Sequence, residues 1–408
     1  MTSRAENAAV PIGLAVLLAG LSMISPFSID TFFPSFRAIQ AEFALDDFQI
    51  QQTLTAYLLP FAFMSLFQGP LSDALGRRPV VLVGIALYAA ASLACVFAPG
   101  YKSLLFFRAM QGMTAGVGLI VGRAIVRDLY EGPNAQRLMS AVTMIFSVAP
   151  AVAPVVGGWV HVAFGWRAVF GFLCLLGLAL LLACYLALPE THPPERRVPF
   201  SAGGLLRTAV RVIRTRRFTL LAFASAINFG SLLAYIGSAP AIVLDRWGLK
   251  ETQFGHLFVP IIAGFLLGAY LSGRMAGRMP QDRQIALGFA TTAVAALGAL
   301  LLNSLIDMPP RLVQQTLLSF MALGVQLIFP VLTLQMLDMF PEARGSAASM
   351  QSFISVILIA FIIGAVAPLL GGSLLWLSIG SLAAVTVAAL LWRASLRSAA
   401  VPRHPQEA

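Results

Sequence analysis

The chain has 408 residues, of which 59% are hydrophobic and only 11% charged, and its mean hydropathy is +0.85. Soluble domains carry about 25% charged residues, so the composition excludes a soluble globular protein and points to a polytopic membrane protein. The formal net charge of +10 would suit a nucleic-acid binder, but the basic residues fall in loops between apolar runs, so the excess is topological and no nucleic-acid partner is expected.

Runs of about 20 predominantly apolar residues mark membrane-crossing helices. Twelve are predicted, at 12–35, 49–71, 80–98, 104–126, 138–160, 168–188, 218–241, 254–274, 284–303, 312–337, 346–370 and 374–392. The first run is longer than a signal-peptide core and continues through Pro26 and Pro34 into a loop, so it is expected to stay in the protein. Loops rich in Lys and Arg stay cytoplasmic. With the N-terminus inside, that side holds Arg4, Arg77, Arg78, Arg123, Arg127, Arg137, the seven arginines from Arg196 to Arg217, Arg274, Arg278, Arg283, Arg344, Arg393, Arg397 and Arg403, twenty of the twenty-seven basic residues. Arg37, Lys102, Arg167, Arg246, Lys250 and Arg311 fall on the other side, and Arg108 lies inside a span. Both termini are therefore expected in the cytoplasm.

Span one contains Asp30, which alone among the seventeen acidic residues falls inside an apolar run. A charged Asp in mid-helix costs about 2.5–3.5 kcal/mol on insertion scales, so such a residue is a functional candidate that faces a partner or a wet cavity. A carboxyl removed from water is pushed toward its uncharged form. A group that is neutral in one state and charged in another can couple protons to a substrate.

Between spans two and three lies GPLSDALGRRP, Gly69 to Pro79. Its two glycines, Gly69 and Gly76, and a proline bend the backbone tightly, while Asp73, Arg77 and Arg78 place both signs of charge where a helical hairpin meets water. Span four carries Arg108 in LLFFRAMQGMTAG, with Gln111 one helical turn away. Arginine stays charged when buried and needs a carboxylate, carbonyls or water; its expected role is to set the field on a nearby acid or hold a site open. Span five contains APAVAPVVGG, in which Pro150 and Pro154 shape a bend and Gly157 and Gly158 allow close helix packing. Arg123, Arg127, Asp128, Arg137 and Arg344 join Asp73, Arg77 and Arg78 in a set of charges at the inner helix ends.

One long connection, Pro189 to Arg217, divides six spans from six. It holds PETHPPERRVP and then a basic stretch in which Leu205, Leu206, Val210, Val212 and Ile213 interleave with arginines, as in a helix lying on an anionic leaflet. The expected domains are a six-helix bundle at 1–188, a cytoplasmic linker with an interfacial basic helix at 189–217, a second bundle at 218–393 and a cytoplasmic tail at 394–408. SGRMAGRM at 272–279 repeats LSDALGRR at 71–78, aligning Gly277 with Gly76 and Arg278 with Arg77, while Arg274 falls where Asp73 sits. PEARGSAAS at 341–349 likewise resembles PNAQRLMSA at 133–141. Internal repeats of this kind place substrate sites near the midplane.

Polar residues inside spans, namely Tyr57, Gln68, Asn228, Tyr235 and Gln326, together with many Phe and Met, are candidates to line a broad apolar cavity suited to lipophilic molecules with a few hydrogen-bonding groups. Cys95, Cys174 and Cys184 lie within spans without metal-ligand spacing and read as small core residues, so no metal site is expected. His161 and His256 fall near outer ends and read as uninvolved. No Gly-rich loop with Lys and Ser/Thr is present to hold ATP, and the short loops leave no room for a catalytic domain, so neither an enzyme nor a bound cofactor is expected.

The spacing G-x-L-x-D-x-x-G-R-R at 69–78 resembles the loop between the second and third helices of the major facilitator superfamily. Leu104, Arg108, Gln111 and Gly112 resemble its fourth-helix signature, L-x-x-x-R-x-x-Q-G. In span five Pro154, Gly157 and Gly158 match the pattern G-x-x-x-G-P-x-x-G-G of members that export by antiport, with Ala149 and Ala153 in place of glycines. DTFFP at 30–34, GRAIVRDLY at 122–130, SAPAIV at 238–243 and FGHLF at 254–258 resemble the bicyclomycin-resistance (Bcr/CflA) branch of the drug:proton antiporters.

This resemblance implies an all-α fold of twelve transmembrane helices in two pseudo-symmetric six-helix bundles. It implies a monomeric, multi-pass protein of the bacterial inner membrane that exchanges protons for small lipophilic antibiotics such as phenicols and bicyclomycin, by rocking of residues 1–190 against 218–408. Asp30 then corresponds to the first-helix acid that recognises protons and drugs. Asp73 would cap the start of span eleven near Gly345, and the arginines would pair with Asp128, latching the outward-open state. A metabolite exporter for amino acids, dipeptides or sugars would share every motif and differ only in cavity chemistry, and a proton-coupled importer would share the fold. A non-transporting membrane sensor is a third reading, but it would not need both the intramembrane acid and the repeat.

Overall fold

The computed structural model describes residues 12–130, 132–197, 199–341 and 344–399. Arg4, Arg403, the tail beyond residue 399 and the side chain of Arg137 lie outside the described residues, as do Glu342 and Ala343 of the second repeat. Among the described residues, eleven helices are long and apolar enough to cross a bilayer, and the apolar stretch Val148–Phe164 lies in a further long helix. The helices are α1 (Ile12–Asp30), α2 (Phe36–Phe43), α3 (Asp47–Leu75), α4 (Arg77–Val96), α5 (Tyr101–Ala115), α6 (Val117–Leu129), α7 (Gly132–Phe164) and α8 (Trp166–Ala187). They continue with α9 (Ala202–Arg214), α10 (Arg216–Gly237), α11 (Gly255–Met275), α12 (Gln281–Leu305), α13 (Arg311–Asp338), α14 (Arg344–Phe361), α15 (Ala367–Leu370) and α16 (Leu374–Ala399).

Local chemistry sets several boundaries. Asp46 begins α3 with a capping box, its carboxylate accepting from the Gln49 amide at 2.6 Å while the Asp46 amide donates to Gln49 Oε1 at 3.0 Å. Gly76, at φ 101°, takes the left-handed turn between α3 and α4, and Gly277, its aligned counterpart in the repeat, also has a positive φ of 72°. The second copy has thus kept the bend at the site where Arg274 replaces the acid.

Four predicted spans are interrupted, the seventh because α10 ends at Gly237 and a turn at Ser238 leads into a π-helical segment at Ala241–Arg246. The first does not run to residue 35, because α1 ends at Asp30 and the chain passes through a 3-10 turn at Phe33–Ser35 into α2. Asp30 therefore closes the helix instead of lying in mid-helix. The fourth is two helices, α5 and α6, joined at Gly116. Gln68 Nε2 donates to the Met113 carbonyl at 3.0 Å, and this inserted side chain accounts for the break in the helical ladder. The eleventh widens into a π-helical segment at Ile362–Val366, just before Pro368, whose missing N–H removes a rung of the α ladder.

The chain forms two compact units, Met1–Phe200 with Ala239–Val259, and Ser201–Ser238 with Pro260–Ala408. In the first, α1 packs on α7 and α8, and α4 packs on α5 and α8. In the second, α10 packs on α14 and α16, and α12 packs on α13 and α16. These are the same span pairings shifted by six, the structural counterpart of the sequence repeat. The buried centre of the first unit holds Tyr57, Tyr88, Arg108 and Phe170, and that of the second includes Phe218, Phe289, Ile328 and Trp392. Large apolar side chains such as Phe164, Leu186, Leu305 and Leu369 are left exposed, as befits lipid-facing surface.

Close approach of backbones has a measurable consequence. A β-carbon at Gly118 would lie 2.3 Å from the Leu21 carbonyl oxygen, whereas one at Gly122, a turn further along α6, meets nothing nearer than 3.8 Å. Gly118→Ala is expected to destabilise the protein by about 1–3 kcal/mol through overpacking. Gly122→Ala should leave it unchanged or slightly more stable, by up to about 1 kcal/mol of helix propensity. Thermal unfolding of the two variants in detergent checks the contrast.

Candidate functional site

The last turn of α1 brings two intramembrane charges into one region. Asp30 is 6% exposed and has no hydrogen-bond or ion-pair partner among the described residues. Beside it, Thr31 Oγ1 donates back to the Phe27 carbonyl at 2.6 Å, and Phe32 and Phe33 are fully buried. Arg108, on α5, is fully buried. Its Nη1 donates to the Ser28 carbonyl at 3.0 Å and to Gln111 Oε1 at 2.6 Å, and its Nε donates to the Thr53 carbonyl at 3.3 Å. The guanidinium lies over the rings of Tyr57, Phe32 and Phe170, at 4.6, 5.1 and 5.8 Å from their centroids.

Arg108 and Asp30 form no ion pair among those described, so the arginine is held by carbonyls, an amide and aromatic faces. It joins α1, α3 and α8 to α5. Gln111 extends the network, donating to Ser92 Oγ at 2.8 Å, while Ser28 Oγ and the Tyr88 hydroxyl share a hydrogen bond of 2.6 Å. A guanidinium cannot give up its charge inside a protein, whereas a carboxyl can do so by binding a proton. Of the two buried groups, Asp30 is the one equipped to change charge.

Helix α7 reaches the same region from the other side. A β-carbon at Gly157 would lie 2.1 Å from the Thr31 carbonyl oxygen, directly after Asp30, and one at Gly158 would lie 2.1 Å from the Glu251 carbonyl oxygen. Only glycine fits either position without moving a backbone. Ala149 and Ala153, where the antiport pattern has glycine, are fully buried, so their methyl groups are accommodated. Pro150 and Pro154 lie inside α7 without ending it.

The cavity candidates are distributed between the units. Tyr57 is fully enclosed by its contact with Arg108 and a 3.5 Å bond to Ser25 Oγ, and Gln68 is committed to the α5–α6 break. In the second unit Tyr235 is fully buried and bonded to Ser378 Oγ at 2.9 Å, Asn228 is buried, and Gln326 is half-buried.

At the α3–α4 turn the charged residues form a clasp. Arg77 pairs with Asp73 at 2.5 Å and with Asp128 at 2.9 Å, and donates to Ser72 Oγ at 2.6 Å. The expectation that the arginines pair with Asp128 holds for Arg77, and among the described side chains of the first unit the other arginines do not join it. Arg78 turns away to the Tyr185 carbonyl at 2.7 Å, Arg127 precedes Asp128 and points about 100° around the helix, and Arg123 has no ion pair among those described. Arg344 pairs at 3.5 Å with Asp338, both exposed, a contact of small energetic weight.

Sequence reasoning missed two members of this clasp. Glu190 Oε1 accepts the Arg77 amide at 3.0 Å, capping the first turn of α4 where the helix dipole favours an acid, and also accepts the His192 amide at 2.9 Å. Thr191 donates to Asp128 at 3.0 Å. Their signal was the PET triplet directly after span six. Ser28, Tyr88 and Ser92 were also missed, and as hydroxyls inside apolar runs they carried no comparable signal.

Comparison with known proteins bears on this arrangement. Residues 18–363, which include Asp30, the clasp, Arg108 and the span-five glycines, match the family model of the Major Facilitator Superfamily. The chain belongs to the major facilitator superfamily. It is a membrane-spanning transporter and not an enzyme. Similar proteins include the bicyclomycin resistance protein homolog of Haemophilus influenzae, 28% identical over 71% of this chain and 72% of that one. The uncharacterized MFS-type transporter YdgK of Bacillus subtilis is 31% identical over 88% of this chain and 89% of its own, and the multidrug transporter MdfA of Edwardsiella ictaluri is 30% identical over 83% of each. Among solved structures, a bacterial homolog of the human lysosomal transporter Spinster covers 95% of this chain and 96% of its own with a TM-score of 0.70 at 16% identity, a likeness of fold.

In this superfamily member the Arg108 network is expected to set the stability of the first unit. Arg108→Lys keeps the charge but loses the planar fork and its stacking. Each hydrogen bond to the charged group that is not remade should cost about 1.5–3 kcal/mol. Glu190→Gln, which retains an acceptor for the Arg77 amide, should cost less than Glu190→Ala, which loses a cap worth about 1 kcal/mol. Thermal unfolding in detergent ranks the three.

Proposed function

We propose that this transporter exports small lipophilic antibiotics, of the phenicol and bicyclomycin kind, across the bacterial inner membrane in exchange for protons, by alternating access. The observation that carries the reading is Asp30, a buried carboxyl without a partner among the described residues, at the end of the first span. A buried carboxylate must be paired or must take up a proton, which suits a residue that binds and releases one in each cycle. The relatives support the choice of cargo, since similar proteins bear the names bicyclomycin resistance protein homolog, multidrug transporter MdfA and chloramphenicol resistance protein.

The energetics are sufficient. One proton moving down about 150 mV releases roughly 3.5 kcal/mol, at about 2.3 kcal/mol per 100 mV. At 1.4 kcal/mol per tenfold this sustains a drug gradient of a few hundredfold. We further propose that the protein works as a monomer, and that both termini lie in the cytoplasm, the latter supported by the distribution of its basic residues. A metabolite exporter of the same fold is the second reading, because the cavity candidates do not distinguish its cargo from a drug.

Efflux of chloramphenicol or a lipophilic dye from energised cells tests the proposal. The wild type should extrude the compound, and Asp30→Asn, present in the membrane at a similar level, should lose proton-driven extrusion as completely as an uncoupler abolishes it. Undiminished efflux by Asp30→Asn overturns the coupling role. If no test drug is extruded by the wild type, the cargo is a metabolite.

A further inference from the structure

Helix α9 presents three stripes along its thirteen residues. Ala209 and Val212 face inward, Val212 being fully buried in the core of the second unit beside α10 and α14. Leu206, Val210 and Ile213, spaced by four and three residues, form a second stripe and are 66%, 37% and 41% exposed. Arg207, Arg211 and Arg214, each one residue further on, form a third, also exposed. The helix is fixed at its start by Ser201 Oγ, which accepts from the Gly204 amide at 3.1 Å. From Arg196 to Arg217 the chain holds seven arginines and no acidic residue.

An exposed apolar stripe beside an exposed basic stripe, on a helix docked by its remaining face, fits a boundary between hydrocarbon and anionic headgroups. An acidic soluble partner would be met by the arginines but would leave the neighbouring apolar stripe without a role. We propose that α9 is a binding surface for anionic phospholipids, with Leu206, Val210 and Ile213 entering the acyl boundary and Arg207, Arg211 and Arg214 contacting phosphates. Because Val212 anchors the helix in the second unit, lipid headgroup charge acts directly on the element that packs against α10 and α14. Each arginine held near an anionic leaflet contributes roughly a fivefold preference for charged over neutral lipid, and salt weakens it.

The test is amide hydrogen exchange of residues 203–214 in the full-length chain, reconstituted into nanodiscs of phosphatidylcholine with an increasing fraction of phosphatidylglycerol. Both leaflets of such discs have the same composition, so the result does not depend on orientation. Exchange should slow by about tenfold or more as phosphatidylglycerol is added at low salt. High salt should reverse the slowing, and the combined Arg207→Gln, Arg211→Gln and Arg214→Gln variant should lack it. Leu206→Ser with Ile213→Ser should weaken protection in both compositions. Equal exchange of the native chain in the two lipids at low salt overturns the proposal, and this comparison requires no variant to fold. Protection produced by an acidic peptide in phosphatidylcholine discs, with no response to phosphatidylglycerol, also overturns it and assigns the face to a soluble partner.

Discussion

A guanidinium that can neither lose its charge nor reach water dictates its surroundings, and Arg108 does so for the first unit. Its Nη1 and Nε donate to main-chain oxygens of α1 and α3 and to Gln111, Nη2 is buried without a hydrogen-bond acceptor among the described residues, and the guanidinium faces are covered by Tyr57, Phe32 and Phe170. Leaving such a charge unsatisfied would cost several kcal/mol, so these elements are held together as a set. The ends of α1 and α3 are ordered around a cation, and the acid two residues beyond Ser28 has no counter-ion among the described residues. That division of labour separates a fixed charge that organises the fold from one that can come and go.

The inner clasp follows the same logic under different conditions. Arg77 is nearly buried, Asp128 is partly so, and Asp73 is about half exposed. The Arg77–Asp128 contact therefore carries more weight than the Arg77–Asp73 contact, which water screens. Glu190 binds the main chain of α4, so that the charge of the linker's first turn acts on a helix terminus. A helix end, three acids and one arginine form a compact unit in which the start of the linker is an integral part.

Much of this was legible in the sequence. The apolar runs gave the helices, because nothing else in the chain can cross a bilayer with its backbone satisfied. Gly76 and Gly277 were legible because a left-handed turn restricts the choice of residue. Gln111 was legible because it lies one turn from Arg108. The partners of the buried arginine were not, since main-chain carbonyls have no sequence signature and serines in apolar helices are common. The end of α1 at Asp30 was also hidden, because hydropathy continues unchanged through Phe32 and Phe33 while the backbone turns. The pairing of Asp128 with a single arginine depended on side-chain direction around a helix, which composition does not report.

The π-helical segment at Ile362–Val366 gives the eleventh span a mechanical property of its own. A π turn holds one residue more than the α turn it replaces. Absorbing that residue into regular α-helix would rotate everything beyond it by about 100° and change its axial position by about 1.5 Å. The part of the span that follows, including Pro368, is thereby furnished with a screw-like degree of freedom. It can re-aim its side chains while the longer α14 segment keeps its packing.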